Sequence, residues 1–396
     1  MTVVTNITGA TNFVLQEAIG AYSDEAYTNA KKLSGTAIVG PNPNIDTSTE
    51  TYMGQVRWFK PISATVNVAS ISTNTPGSTT TYTSDYLKYI KTVRTFGATK
   101  VNIQQVVTQQ DGLAKIGRDF GEIQAQDEHD AILAVLRGVA LSEALNGAAS
   151  ASGNTGLGGQ SFTNDPASKR YGFYVDLGAA KAVVDATSAV QGAARAEGFL
   201  QAIGMAWKDY EPPYAYVITS PQMMASFRSA NLVDQTTVTE ANVTFSTIFG
   251  GKFRIIQTRA SQGFSGTEMT KINTGSGSID IAGPNVSFIV LPGALAMERL
   301  AVPDPVEIDR NAAAYFGGGT TSIWRRWGYV LAPAGYDWGG DDDSFPSNLT
   351  YGYAVEGGTP KELTTVSSGS LASTTGSWIR KASSALSLGI LPVFHS

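Results

Sequence analysis

The chain has 396 residues, of which only 15% are charged, and its net charge is −5. A strongly basic nucleic-acid binder needs clustered Lys and Arg, so the composition excludes that class. The chain has no cysteine, which excludes disulfides, thiolate metal sites and cysteine nucleophiles. Low charge with 42 glycines indicates either a surface built for contact or a Gly/Thr-rich β-protein with polar loops.

Residues 1–51 predict an N-terminal arm. One short helix is expected around residues 14–32, and the turn-rich run GPNPNIDTSTET follows it. Such a segment offers little apolar surface for a core of its own. The first residues lack the basic and apolar regions of a signal peptide, and no stretch reaches the roughly 18 apolar residues of a membrane span. We therefore expect a protein made in a cytoplasm, with no membrane partner.

Residues 52–106 predict an extended β-hairpin loop. Both legs alternate in the manner of strands, and the tip between them is the soft sequence STNTPGSTTTYTS. An isolated hairpin is at best marginally stable in water. A hairpin this long therefore needs a surface to lie on, either in its own subunit or in a neighbour.

Residues 107–174 are expected to contain one long helix, at 111–146. Apolar residues recur every three or four positions along it, and Asp127 fills the one gap in the stripe. A small-residue run that begins at Gly147 ends the helix. At about 1.5 Å per residue the helix spans on the order of 50 Å, which is typical of a strut.

Residues 175–320 predict a mixed α/β domain. A helix is expected at 192–208, and Ser220-Pro221 is typical of a helix start, with Ser as the N-cap and Pro in the first turn. Strands interleaved with short helices favour an α/β or α+β arrangement. The expected strands are 214–218, 252–258, 286–291 and 305–309.

The sequence predicts a closing strand at residues 321–340 and a C-terminal extension at residues 341–396. The strand, TSIWRRWGYVL, runs into the turn APAGYDW. The extension is rich in Gly, Ser and Thr but finishes on LGILPVF. A tail that ends in aliphatic residues is expected to dock on a protein surface.

Few residues suit catalysis. His129 lies in the run Asp127-Glu128-His129-Asp130, which we interpret as a solvated helix face, because adjacent helical positions point in different directions. His395 is interpreted as a mobile terminal residue. The Gly-rich run near residue 156 lacks the lysine of a phosphate loop, the acidic run 341–343 lacks calcium-loop spacing, and no G-x-S-x-G motif occurs. We expect no enzyme activity, cofactor or metal.

The order of these elements resembles the major capsid proteins of tailed phages, which have the Hong Kong 97-type coat fold. The segment 321–338 is similar to the closing strand of that family and its Pro-x-Gly-aromatic turn, although Ala332 stands where many members carry His. Residues 216–221 and 250–256 are similar to strand-to-helix and loop-to-strand steps of its axial domain. The resemblance implies an α+β fold, with 52–106 as the extended loop, 111–146 as the spine helix of a peripheral domain, and 175–320 as mainly the axial domain.

The resemblance also implies a function. It is a shell subunit that forms hexamers and pentamers of an icosahedral head around phage double-stranded DNA, without sequence-specific binding to that DNA. The shell would be the virion capsid, assembled in the bacterial cytoplasm, with a separate scaffolding, portal or cement protein as a further partner. An encapsulin-like compartment, or a surface or tail-fibre binding module, is the alternative. Inter-subunit contacts are expected at Arg57, Trp58, Lys60, Lys88, Lys91, Arg94, Leu391, Val393 and Phe394.

Overall fold

The computed structural model describes residues 3–31, 33–49, 53–59, 84–101, 112–148, 175–176, 212–229, 231–240, 243–258, 285–311, 313, 319–338, 378–380 and 388–395. These residues form a mixed α/β fold that is mostly strand. Several expected features lie outside them: the hairpin tip, the helix at 192–208, the Gly-rich run near residue 156 and the acidic run at 341–343.

The helices of the described residues are α1 (Val3–Ala30), α2 (Gly112–Ala148) and α3 (Pro221–Ser229), with a 3-10 turn at Leu33–Gly35. The strands are β1 (Val39–Gly40), β2 (Met53–Phe59), β3 (Ser84–Val101), β4 (Val175–Asp176), β5 (Ala215–Thr219), β6 (Val233–Glu240), β7 (Val243–Ile248), β8 (Phe253–Gln257), β9 (Asn285–Val290), β10 (Leu295–Arg299), β11 (Val306–Asn311), β12 (Thr320–Pro333), β13 (Tyr336–Trp338), β14 (Trp378–Arg380) and β15 (Ile390–His395).

The long helix predicted at 111–146 is confirmed as α2, which we call the spine helix. Its 37 residues correspond to about 55 Å. The apolar stripe of the sequence is its buried face, on which Phe120, Ala131, Val135 and Val139 are all shielded from solvent. The spine helix packs with the seven-stranded sheet into the main hydrophobic core.

The N-terminal helix α1 is longer than the short helix expected at 14–32, and it lies along the spine helix. Glycines permit this close approach, because a Cβ atom at Gly121 would lie 2.2 Å from the carbonyl oxygen of Ser23. Ile19, Ser23 and Tyr27 are buried at the contact. These residues of α1 are buried against other elements of the chain, in a core that includes Phe120 of the spine helix.

One sheet has six strands, in the order β1-β10-β12-β3-β2, with β11 also paired to β12. The strand β3 belongs to two pairings in succession. Its first residues pair antiparallel with β2, from Phe59↔Ser84 to Met53↔Ile90. Its later residues, 91–101, pair antiparallel with β12. The two legs of the predicted hairpin are thus confirmed where they are described, and the return leg continues into the sheet.

The other large sheet has seven strands, in the order β4-β15-β9-β5-β8-β7-β6. Every residue of β5 and β15 is buried. The strand β15 pairs antiparallel with β9, which places the end of the chain inside the sheet. The short helix predicted after Ser220 is confirmed as α3, and the Ser220 Oγ accepts a hydrogen bond from the amide of Met223 at 3.3 Å.

The sheets do not follow the expected division of the chain. Strands β10 and β11 lie within 175–320, which was expected to be mainly one domain, yet they join the six-stranded sheet through β12. Strand β15 lies within the expected extension, yet it joins the seven-stranded sheet. The strand β14 of the extension pairs with β13, where the Trp338 and Trp378 rings meet edge to face at 5.1 Å. The membership of each sheet is set by pairing between strands that lie far apart in the sequence, and local sequence patterns do not encode such pairing.

Candidate assembly surface

A two-stranded ribbon, β2 with residues 84–90, extends from the six-stranded sheet. At its base the carboxylate of Asp337 accepts a hydrogen bond from the backbone amide of Lys88. Further out, the Arg57 guanidinium lies 5.6 Å from the centre of the Tyr86 ring and donates to its hydroxyl at 3.4 Å. Both side chains are exposed. The ribbon therefore carries an aromatic and cationic pair on its surface, outside the core.

The six-stranded sheet has one face covered by helices. Asp127 of the spine helix accepts hydrogen bonds from Trp327 Nε1 at 3.0 Å and from the Tyr329 hydroxyl at 2.7 Å. Its other carboxylate oxygen lies 3.4 Å from Arg94 Nε. Asp127, the polar residue that interrupts the apolar stripe of the spine helix, thus bonds this helix to β3 and β12.

No helix or strand among the residues that the structure describes covers the opposite face of this sheet along β3 and β12. Val93 and Trp324 are 51% and 42% exposed. They share this face because Val93 pairs with Gly328 and Trp324 with Gly97. A Cβ atom at Gly97 would lie 2.5 Å from the Trp324 ring, so the missing side chain lets the indole lie across β3. We call Val93, Thr95, Thr99, Ser322 and Trp324 the open face.

The remainder of that face is covered by residues 41–49, which we call the strap. Lys91 is 3% exposed, and its Nζ lies 2.6 Å from Asp46 Oδ2 and 2.8 Å from the Ser48 carbonyl oxygen. The Tyr89 hydroxyl accepts a hydrogen bond from the amide of Asp46 at 2.8 Å. The hydrogen bond from Lys91 lowers the pKa of Asp46 to about 2.

The predicted contact residues divide into three groups. Arg57 is exposed on the ribbon, and Lys88 and Arg94 are half-buried. Lys91 is buried beneath the strap, so its ammonium contacts its own chain. The Trp58 side chain and Lys60 lie outside what the structure describes.

The three C-terminal residues of the predicted set, Leu391, Val393 and Phe394, are fully buried between β9 and β4. The structure places these residues inside their own sheet, and their contact with a neighbouring subunit stays a prediction. The apolar tail docks as expected, but it docks into its own sheet, because antiparallel pairing with β9 satisfies its backbone groups there.

The acidic run on the spine helix is not a solvated face throughout. Asp130 is exposed, but Glu128 is buried and accepts a hydrogen bond from the Tyr27 hydroxyl of α1. Burial raises the pKa of Glu128, and burial together with the nearby carboxylate raises the pKa of Tyr27 to about 12. Within the described residues, no three His, Asp or Glu side chains converge as metal ligands would.

His395 is also placed differently from the expectation of a mobile terminus. It is buried, and its Nε2 lies 2.9 Å from Ser287 Oγ, which in turn lies 2.8 Å from Thr219 Oγ1. A serine beside a histidine is the pairing used in nucleophilic catalysis. These three side chains are shielded from solvent, however, and none of them lines the cavity of about 390 Å³ between the spine helix, α3, β7 and β8. The arrangement joins three strands of the seven-stranded sheet.

Sequence patterns missed the open face and the contacts of Asp127 and Glu128. The alternation of β3 and β12 indicated two-faced strands, but it could not show which face the helices cover. Among the described residues, no helix is both long and apolar enough to cross a lipid bilayer.

The chain is similar in structure to several phage capsids. The capsid of Ralstonia phage GP4 matches at a TM-score of 0.45 and 13% identity, over 78% of this chain and 86% of that one. The mature capsid of bacteriophage PhiM1 matches at 0.42 and 14%, over 73% and 81%. The capsid of cyanophage Pam1 matches at 0.40 and 11%, over 72% and 80%. No protein-family model matches the sequence, and no curated protein matches it.

Proposed function

We propose that this chain is a major capsid protein, which assembles with copies of itself into a closed shell. The observation that carries the proposal is the six-stranded sheet. It extends into a two-stranded ribbon and leaves Val93 and Trp324 exposed beside it. A monomer gains nothing from exposed apolar side chains on a rigid sheet, whereas a second copy placed there removes them from water.

The distribution of charge supports the same conclusion. Only 15% of the residues are charged, while monomeric proteins commonly rely on charge for solubility. Shells gain their stability from many modest interfaces, each copy contacting several neighbours. Segments that lie across a neighbour also make disassembly slow. Hexamers and pentamers in an icosahedral arrangement are the assembly we propose.

We further propose that the shell is the virion capsid of a phage, that it encloses double-stranded DNA without reading its sequence, and that it assembles in the host cytoplasm. The net charge of −5 supports enclosure rather than tight binding, since a slightly acidic wall does not hold packed DNA. A scaffolding, portal or cement protein would be a separate partner. No catalytic step is proposed for the chain.

An encapsulin-like compartment is the second candidate, because a shell of this kind could enclose protein instead of DNA. A surface or tail-fibre binding module is disfavoured by the 37-residue spine helix, because such modules are mostly β-structure. The contents of the particle separate the two shell candidates.

The test is to purify the chain and examine it by negative-stain electron microscopy across salt, pH and protein concentration. We expect closed shells, either from the chain alone or with the product of a neighbouring scaffold gene added. A monodisperse monomer under all these conditions would refute the proposal. Shells isolated from infected cells should contain DNA that a nuclease degrades only after the shells are disrupted, and a folded protein cargo in its place would favour the encapsulin-like alternative.

A further inference from the structure

The outer strands of the two large sheets differ in the charge that they carry. Among the described residues, β11 pairs only with β12, and it holds Glu307, Asp309 and Arg310 within six residues. The outer strand β2 carries the exposed Arg57, and the outer strands β1 and β4 have two residues each. Charge and short length both discourage an outer strand from pairing with a strand of another molecule. These four edges are therefore protected.

The outer strand β6 lacks such protection. It has eight residues, and it pairs with β7 alone within the part of the chain that the structure describes. No charged residue lies between Asp234 and Glu240. The Asp234 carboxylate is used within the chain, because it accepts a hydrogen bond from the Gly251 amide at 3.0 Å. The middle of β6 therefore presents an uncharged edge on which the structure describes no further strand.

The side chain at the centre of this edge is apolar and only half-buried. Val238 pairs with Phe245 of β7, which is 1% exposed, whereas Val238 itself is half-buried. Its neighbours Thr237 and Thr239 point to the other face of the sheet and are exposed. A strand added beside β6 would cover the open side of Val238, and removal of apolar surface from water favours such an addition.

We propose that β6 pairs antiparallel with β6 of a second copy of this chain, about a two-fold axis at Val238. The proposal rests on the shell function proposed above and names one of its interfaces. It uses an edge of the seven-stranded sheet, in addition to the open face of the other sheet. An icosahedral shell contains two-fold axes, so a contact of this symmetry has a place in it.

The register of the pairing follows from the residues of β6. Centred on Val238, the pairing places valine opposite valine, which buries apolar surface, and Thr237 opposite Thr239, a combination that stabilises antiparallel strands. Centred on Thr237, it would bring Asp234 and Glu240 together, and like charges opposite each other are destabilising. Centred on Thr239, it would place Val238 opposite Glu240. The first register alone avoids both conflicts.

The contact is expected to be weak by itself. The register of β6 with β7 shifts between Val233 and Thr237, and this bulge limits the regular edge to about five residues. A pairing of that length buries less than the roughly 800 Å² per partner of a stable dimer. Repetition over a shell makes such contacts effective, because many weak contacts then act together. We therefore expect the pairing chiefly in assembled particles or in concentrated protein.

Single cysteines test the contact, because the chain has none of its own. Opposed Cα atoms in an antiparallel pair lie about 4.5–5.5 Å apart, which suits a disulfide. Val238→Cys should therefore give disulfide-linked dimers when assembled particles are mildly oxidised, as measured by non-reducing gel electrophoresis. Thr244→Cys is the matched control, because this exposed residue lies on β7 and would be about 14 Å, or three strand spacings, from its copy. We expect at least about tenfold more dimer from Val238→Cys than from the control.

A mixture of Thr237→Cys and Thr239→Cys provides a second measurement that leaves the valine in place. Both threonines are exposed, and the proposed register places one opposite the other. The mixture should give more dimer than either variant alone. Shells that yield no dimer from these variants, or as much dimer from Thr244→Cys, would overturn the strand contact and leave the proposed function standing. Dimers without shells would support the contact and refute the shell, and monomers that form neither would overturn both.

Discussion

The two large sheets of this molecule differ in how far their faces are buried. The seven-stranded sheet buries β5 and β15 completely, and inside it the Ser287 hydroxyl is paired with both the Thr219 hydroxyl and the His395 imidazole. The six-stranded sheet covers one face with helices but leaves Val93 and Trp324 exposed on the other. Under the proposed function, the first sheet stabilises the subunit and the second supplies the surface for a second copy.

The largest effect should come from the ribbon that extends from the six-stranded sheet. Deleting residues 72–83 removes the hairpin tip and leaves the pairing of β2 with β3 intact. We expect a folded subunit with an unchanged circular dichroism spectrum, and a loss of at least about tenfold in assembled particles by sedimentation, because a shell multiplies the loss at each interface. Normal shells from this deletion would show that the tip has no role between subunits.

A phenylalanine in each sheet tests the division of roles. Phe394 is fully buried in the seven-stranded sheet, whereas Phe96 is 41% exposed on β3 of the other sheet, where its ring meets that of Phe120 edge to face. Phe394→Ala should lower the free energy of unfolding by about 3–5 kcal/mol, because it leaves a cavity in a packed core. Phe96→Ala should cost less than half as much.

Denaturant unfolding of the two variants provides the measurement. Equal losses would mean that the two sheets share the stability of the subunit. A stable Phe394→Ala monomer that fails only in assembly would return the C-terminal strand to an inter-subunit role.

Removing the ion pair between the strap and Lys91 should have the smallest effect on stability, and this effect should depend on pH. Lys91 lowers the pKa of Asp46 to about 2, so the stabilisation by this ion pair is present above the ordinary aspartate value of about 3.9 and is lost as pH falls toward 2. The difference in Tm between wild type and Asp46→Asn should therefore shrink between pH 4 and pH 2. Asp309→Asn, at an exposed site on β11, is the control. A difference that stays constant over this range would mean that the ion pair does not hold the strap.

Local sequence patterns predicted most of the individual elements. The stripe of the spine helix, the N-cap at Ser220 and the strands at 252–258 and 286–291 were readable because each depends on nearby residues. The strands β6 and β7 were missed, because their Thr-rich sequences lack a clear apolar alternation.

Pairings between distant residues could not be predicted. Nothing near Lys91 in the sequence indicates that Asp46 covers it, and nothing in the tail indicates that β9 receives it. The same holds for Glu128, whose partners Tyr27 and Arg299 lie far away along the chain. The open face could not be predicted either, because it depends on which side of the sheet the helices cover, and those helices are distant in the sequence.

Oxidative footprinting of Trp324, in unassembled subunits and in assembled particles, tests the central claim most directly. Indole side chains react readily with hydroxyl radicals when they are exposed, and Trp338, which is buried, serves as the internal reference. If the open face of the six-stranded sheet is where copies meet, oxidation of Trp324 should fall at least severalfold on assembly while that of Trp338 stays low. Equal oxidation of Trp324 in both states would contradict the account.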